Sequence, residues 1–298
     1  MICLKPLRND KFSARVQKRK LPLKVEKKKV GSGSYNIVYR ALVQPPCQDA
    51  GKKVIYRRSK DMIDNTHFFN QEVRMTIKMA EAKGGPEVYR AGLDNQERGF
   101  IIMDDYPKSL RQLMDLPAAK RPTWYEIEKG LRDPIKRMAE AGIFCSDLKF
   151  RNVVVRGETR GSWIMKLIDF GDDFCAFSDD IIIPDKYMKP YQDKIKSGKM
   201  KKLNRTNILY AAMLMMMSIN SEKTRNRVYG AKAPSLFARE IKNLPIETKL
   251  IALLVIGQGK SKKGTMAKPI AQARHYYKGT IVNADKIYEI LTGETLKK

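Results

Sequence analysis

The chain has 298 residues, 43% of them hydrophobic and 31% charged, with a formal net charge of +27. That length allows one large domain or two lobes, each able to bury a core. The longest apolar run, 208–217, is too short to cross a bilayer, so no transmembrane segment is expected. Cys3, Cys47, Cys145 and Cys175 form no Cys-x-x-Cys pair, and with only His67 and His275 beside them they offer no recognisable zinc spacing. They read as reduced thiols in an intracellular compartment, cytoplasm or nucleus. The opening Met-Ile-Cys-Leu-Lys lacks a secretory hydrophobic segment. The excess of positive charge calls for an acidic partner: nucleic acid or another polyanion, an anionic membrane face, or acidic protein.

Residues 1–22 are basic with little periodicity and read as a solvated arm. Residues 1–30 hold 11 basic and 2 acidic side chains, enough to hold phosphates through counterion release. A first strand is expected over 23–30. Gly31-Ser32-Gly33-Ser34-Tyr35-Asn36-Ile37-Val38 follows, a hairpin whose two glycines let the backbone approach phosphates closely because neither carries a Cβ. Asn36 stands where a third glycine would complete the pattern, and asparagine tolerates left-handed backbone. After a polar loop, Val54-Ile-Tyr-Arg57 reads as a strand and 65–83 as a helix carrying Glu72, 15 residues beyond Arg57. Lys52 and Lys53 are the less favoured alternatives to Arg57, since they precede the apolar strand. Two antiparallel strands are expected around 88–92 and 99–106, the second presenting Met103, Asp104 and Tyr106.

The span 123–141 places Ile127, Leu131, Ile135 and Met138 at helical spacing, with Gly142 as its C-terminal stop. Then comes Cys145-Ser-Asp147-Leu-Lys149-Phe-Arg-Asn152-Val-Val-Val, a turn-rich insert, and Ile-Met-Lys-Leu-Ile-Asp169-Phe-Gly171. Two carboxylates around a short β-ribbon, with a lysine and an amide two and five places after the first, suit phosphoryl transfer. This stretch resembles the catalytic loop and Asp-Phe-Gly motif of eukaryotic-type protein kinases, and the hairpin at Gly31 resembles their glycine-rich loop.

The resemblance covers roughly 23–220. It implies an α+β, two-lobed protein kinase fold: a basic arm (1–22), a small antiparallel-sheet lobe (23–106) and a larger helical lobe (107–298), with ATP between the lobes. It implies that Asp147 orients the attacking hydroxyl and Lys149 stabilises the transferring group. Asn152 and Asp169 would hold Mg2+ (or Mn2+). Gly31, Ser32, Gly33, Ser34 and Val38 would cover the nucleotide. Arg57, in the place of the usual lysine, and Glu72 would steady the α/β-phosphates. Met103 would be the gatekeeper, with backbone groups of Asp104 to Tyr106 on the adenine edge. Lys149 next to the catalytic Asp is the serine/threonine pattern, so protein substrates are implied. A small, very basic kinase with eroded motifs is also similar in style to kinases carried by large DNA viruses, which adds the virion to the expected locations.

Beyond Gly171 the chain departs from that family. No Ala-Pro-Glu motif appears, 186–205 is strongly basic, and 204–217 reads as the most apolar helix, its methionines an adaptable core. Further helices are expected at 233–243, 245–255, 267–277 and 283–292, with a basic loop at 257–264. Two rival readings stand beside the active kinase. One is a pseudokinase that binds nucleic acid or an acidic partner through its basic surface. The other is a small-molecule kinase on a related fold, kept open by the missing Ala-Pro-Glu segment.

Overall fold

The computed structural model describes residues 3–8, 11–17, 21–33, 35–64, 66–157, 159, 161–171, 175–180, 193, 196–198, 204–230 and 232–258. Ser34, most of the basic stretch 186–205, and the helices expected at 267–277 and 283–292 lie outside the described residues. The architecture is mixed α/β, and the chain divides into two compact units, Met1–Pro122 with Arg151–Asp172 and Thr123–Phe150 with Asp173–Lys298.

The first unit is built on five antiparallel strands: β1 (Leu23–Ser32), β2 (Asn36–Val43), β3 (Lys53–Ser59), β4 (Val88–Leu93) and β5 (Gly99–Asp104), in the order β1-β2-β3-β5-β4. Alternation along each strand sorts the side chains between two faces. Ile101 and Met103 of β5 pack with Val88 and Ala91 against Phe69, Val73, Ile77 and Ala80 of helix α1 (Thr66–Glu81). Phe100 and Ile102 lie on the other face with Ala41, Val43 and Val54. A smaller ribbon of β6 (Lys108–Ser109), β8 (Val153–Arg156) and β9 (Ile164–Leu167) completes this unit, with the short helix α2 (Leu110–Leu113) after β6. Ser109 and Gln112 form a reciprocal capping box at the start of α2.

Three expectations for this unit need correction. Residues 1–22 are not simply a solvated arm. Leu4 and Phe12 are 7% and 6% exposed, because these apolar residues find partners on the sheet and on α1 that no periodicity within the arm announces. Cys3 and Cys47 are not free thiols but form a disulfide, their Cα atoms 5.5 Å apart across 44 residues. Packing of Leu4 beside Cys47 brings them together, and the Asp49 carboxylate accepts hydrogen bonds from the N–H groups of Cys3 and Leu4. Asn36 is an extended residue of β2 opposite Ser59, so the hairpin closes without a left-handed residue there.

Closing a loop of that length removes about 4 kcal/mol of unfolded-state entropy in the chain model. Cys3→Ser with Cys47→Ser is therefore expected to lower the denaturant midpoint by an amount equivalent to about 3–4 kcal/mol. An unchanged midpoint in non-reducing buffer would show that the bridge contributes nothing in solution.

The second unit is mostly helical. Helix α3 (Trp124–Glu140) starts at a capping box between Thr123 and Glu126 and ends at Gly142, whose φ of 67° only glycine adopts freely. Its Ile127, Leu131, Ile135 and Met138 are fully buried. Helix α4 (Arg205–Tyr229) begins where expected but runs on past 217, because Ser218 and Ser221 remain buried; Gly230 follows it at φ 85°. Met213, Met215, Met216 and Met217 are all core. Helices α5 (Ala238–Asn243) and α6 (Ile246–Gln258) follow, so Gly257 closes a helix instead of opening a loop. Strand β7 (Ile143–Cys145) pairs antiparallel with β10 (Cys175–Phe177). That register sets Cys145 opposite Cys175, and they too are disulfide-bonded, with Cα atoms 4.0 Å apart. Both pairings are tertiary, which is why spacing in the chain did not reveal them. They also remove the ground on which an intracellular compartment was read from free thiols. Among the described residues no helix is long and apolar enough to cross a membrane.

Candidate active site

In the first unit, the strand register carries Arg57 to the face of β3 that meets α1. Arg57 lies opposite Val38 on one side and Ile101 on the other. Its guanidinium Nη2 stands 2.5 Å from Glu72 Oε1 and 3.6 Å from Asp169 Oδ1. The Arg57 and Glu72 side chains are only 14% and 13% exposed. Burial works against the arginine's charge, but the Glu72 and Asp169 carboxylates outweigh it and hold the Arg57 pKa above its ordinary value. Lys52, the alternative to Arg57, is engaged elsewhere, 3.3 Å from Asp104.

Asp169 comes to this cluster from the end of β9. Val153 pairs with Leu167, and the Ile168 N–H donates to the Asn152 carbonyl at 3.0 Å, so Asn152 and Asp169 share one end of the β8–β9 ribbon. Asn152 is 5% exposed, whereas the Asp169 side chain is half-exposed. Asp169 has φ 70°, a left-handed conformation that costs a non-glycine residue energy and persists where surrounding structure imposes it. The following Phe170 is fully buried and anchors that turn.

Gly31 pairs with Val38, Ser32 with Ile37, and the Gly33 N–H donates to the Asn36 carbonyl at 2.9 Å. Neither glycine has positive φ. Among the described residues, a Cβ on Gly31 would meet only Val38, at 3.8 Å, and one on Gly33 would meet nothing within 4 Å. Packing against the described residues therefore explains neither glycine. They leave the backbone of the hairpin open to close approach from outside.

Met103 is core, 7% exposed. Beyond it the chain is fixed by Lys52 and by two cations that the sequence did not single out, Arg40 and Arg156. Arg40 Nε lies 3.2 Å from Asp105 Oδ2 and its Nη2 donates to the Pro107 carbonyl at 2.8 Å. Arg156 Nη2 donates to the Asp105 carbonyl at 2.7 Å, and its guanidinium sits 4.3 Å above the Tyr106 ring. Lys52 also reaches the Tyr89 hydroxyl at 2.5 Å, and that hydroxyl donates to Asp104; burial and the Asp104 carboxylate push the Tyr89 pKa well up. The segment 104–107 is thus held in one backbone conformation by Arg40, Lys52 and Arg156.

In the second unit, Lys149 Nζ is 2.6 Å from Asp147 Oδ2. The backbone on either side of Asp147 is gripped by Asn220 of α4, whose Nδ2 donates to the Leu148 carbonyl at 2.9 Å and the Ser146 carbonyl at 3.4 Å. Phe150 is buried with its ring 6.1 Å from that of Trp124. Asn220 was not among the candidate residues. Its one signal is an amide following the apolar run of α4, where a helix end was expected instead.

No protein-family model matches the chain. A stretch of 97 residues is 28% identical to the rat (Rattus norvegicus) protein serine/threonine-protein kinase PINK1, mitochondrial. That match covers 32% of this chain and 16% of the rat protein. The similarity is to a serine/threonine kinase, and the five-stranded antiparallel sheet with its packed helix is compatible with a kinase-like lobe.

Proposed function

We propose that the protein is a divergent serine/threonine protein kinase of the two-lobed fold, with lobes 23–106 and 107–298, that transfers the γ-phosphoryl group of ATP to protein Ser or Thr hydroxyls. The observation that carries this reading is the cluster in which Arg57 bridges Glu72 and Asp169. Three charged side chains from a strand, a helix and a ribbon end have no shared structural purpose that a well-packed apolar set would not serve as well.

The residues fit the groups this reading needs. Asn152 and Asp169 offer hard oxygen ligands at one ribbon end. Among the described residues there is no cluster of three or more His, Cys, Asp or Glu that could cage a metal. Mg2+ commonly takes such a sparse set, one or two carboxylates completed by phosphate oxygens and water. The hairpin at Gly31 and Gly33 is open to backbone approach. Bound Mg-ATP would supply the phosphoryl group and the cation that offsets its charge.

The chain's own groups do the rest. Arg57 presents a permanent positive charge, held in place by Glu72, to phosphate oxygens. Asp147 orients the attacking hydroxyl and accepts its proton. Lys149 sets a positive charge beside it where negative charge accumulates. Asn220 keeps the backbone around Asp147 from drifting, and Arg40 and Arg156, bonded to the Pro107 and Asp105 carbonyls, hold 104–107 in the backbone conformation that would meet a purine edge.

The test is incubation with γ-labelled ATP, Mg2+ or Mn2+ and a mixture of acidic and basic proteins. Label on serine and threonine is the expected product. Label on a small molecule only would overturn the protein-kinase reading. Arg57 in the lysine position favours one rival, a protein that binds nucleotide or polyanion without turnover, and absence of any label with retained nucleotide binding would establish that rival.

Regulation by phosphate on the segment after Gly171 is not needed. Its described part is already held, by β10 pairing with β7, by Cys145–Cys175, and by the Ser178 N–H donating to the Gly142 carbonyl at 2.7 Å. Ser146, not arginine, precedes Asp147, so no bidentate phosphate reader stands there. Phosphatase-treated protein is expected to keep its specific activity, and Ser178→Ala to match the wild type within about twofold. Activity that appears only after Ser178 is phosphorylated would overturn this.

A further inference from the structure

The N-terminal segment touches α1 and the edge strand β4 at points that share one mechanical consequence. Phe12, 6% exposed, meets the ring of Phe69 edge-on at 6.5 Å. The Phe12 carbonyl accepts from Arg74 Nε at 2.8 Å, and the Ala14 N–H donates to Asn70 Oδ1 at 2.6 Å. Asn70 and Arg74 are one turn apart on α1 and therefore share a face. Glu72, between them in sequence, points away from that face, towards Arg57.

The segment also runs along β4. The Leu7 N–H donates to the Val88 carbonyl at 2.7 Å, the Leu93 N–H to the Arg15 carbonyl at 3.0 Å, and the Gln17 N–H to the Leu93 carbonyl at 3.0 Å. The approach there is so close that a Cβ on Gly92 would lie 2.6 Å from Gln17 Cγ and 3.0 Å from the Arg15 carbonyl oxygen. The three nearest contacts of that Cβ all come from this segment. At the far end, Cys3–Cys47 ties the segment covalently to the loop between β2 and β3.

We propose that residues 3–8 and 11–17 are a built-in clamp that fixes α1, with Phe12, Asn70 and Arg74 as positioning residues for the Arg57–Glu72 pair. A helix held on the face opposite Glu72 cannot roll or withdraw, so the carboxylate stays on Arg57. The clamp does not touch the reacting groups. It sets how often the pair is assembled, and so acts on turnover through α1. The consequence for catalysis rests on the kinase reading; the effect on α1 does not.

Three variants of the full chain test it: Phe12→Ala, Gly92→Ala and Arg74→Leu, with Phe12→Leu and Arg74→Lys as conservative partners. Two readouts are taken on each: amide hydrogen exchange resolved to α1 against β3 and β5, and steady-state phosphate transfer from ATP. Loss of one or two anchoring hydrogen bonds is expected to speed exchange in α1 about tenfold while β3 and β5 keep their protection. The kcat falls in parallel, and the conservative partners recover both. Unchanged α1 exchange in all three variants would overturn the clamp, whatever the activity does. Uniformly faster exchange in α1, β3 and β5 would overturn it too, since that marks general destabilisation. Faster exchange confined to α1 in a protein whose wild type transfers no phosphate would support the clamp and overturn the kinase reading instead.

Discussion

Asp169→Asn is expected to reduce phosphate transfer by about a thousandfold, ~4 kcal/mol of transition-state stabilisation. The protein should stay folded. Asparagine tolerates the left-handed backbone at φ 70° at least as well as aspartate does, and the side chain is half-exposed. What is lost is the negative charge at the end of the β8–β9 ribbon, which in the proposed mechanism offsets a divalent cation. Arg57 keeps its charge partner in Glu72, so the sheet and α1 remain joined. Turnover measured at saturating Mg2+ and ATP, with the thermal transition followed alongside, gives the answer. Wild-type turnover in this variant would remove the metal role assigned to Asp169 and the mechanism with it.

The second large effect is expected at Arg57. Arg57→Ala leaves Glu72 in a nearly buried position without its partner, and breaking such a pair from one side costs about 3–5 kcal/mol. Loss of both stability and transfer is therefore expected, and Glu72→Ala should behave alike. Arg57→Lys should retain transfer or raise it, since a compact ammonium reaches phosphate oxygens without the width of the guanidinium fork. The structural and chemical contributions can be separated by replacing both members with apolar residues, Arg57→Met and Glu72→Leu. That double variant should recover most of the stability, because a well-packed apolar pair often equals a buried ion pair, while transfer remains lost. Recovery of transfer together with stability would show that the pair is only a packing device.

Much of the first unit was legible because its residues obey short-range rules. Alternation marked the first strand, the segment between the apolar strand at 54–57 and Gly84-Gly85-Pro86 was read as α1, and the 15-residue interval from Arg57 to Glu72 survives as an ion pair. Asn152 and Asp169 were readable as a pair because a single ribbon joins them. The clamp was not legible. Leu4, Leu7, Phe12 and Val16 recur at no regular interval and sit among lysines and arginines, which is the pattern of a solvated arm until a sheet edge is supplied. Arg40 and Arg156 were missed for a similar reason: each is an ordinary strand cation until the pairing of β8 with β6 and of β2 with β3 brings it to 104–107. The disulfides depend on tertiary placement: strand register for Cys145–Cys175, packing of the N-terminal segment for Cys3–Cys47. Nothing local to Cys145 or Cys175 distinguishes a thiol from half of a bridge.

The bond between Cys145 and Cys175 gives the polypeptide a closed covalent circuit of the intervening residues, 30 positions from one sulfur to the other. Asp147, Lys149, Asn152 and Asp169 all fall within that circuit, as does the turn-rich insert between β8 and β9. A protease that cuts the insert once therefore cannot divide the molecule. The nicked chain should migrate as one species until a reductant opens the sulfur link, and only then separate into a fragment ending in the insert and one beginning there. Asp147, Lys149, Asn152 and Asp169 are thus carried on a segment that a single backbone break opens but does not detach.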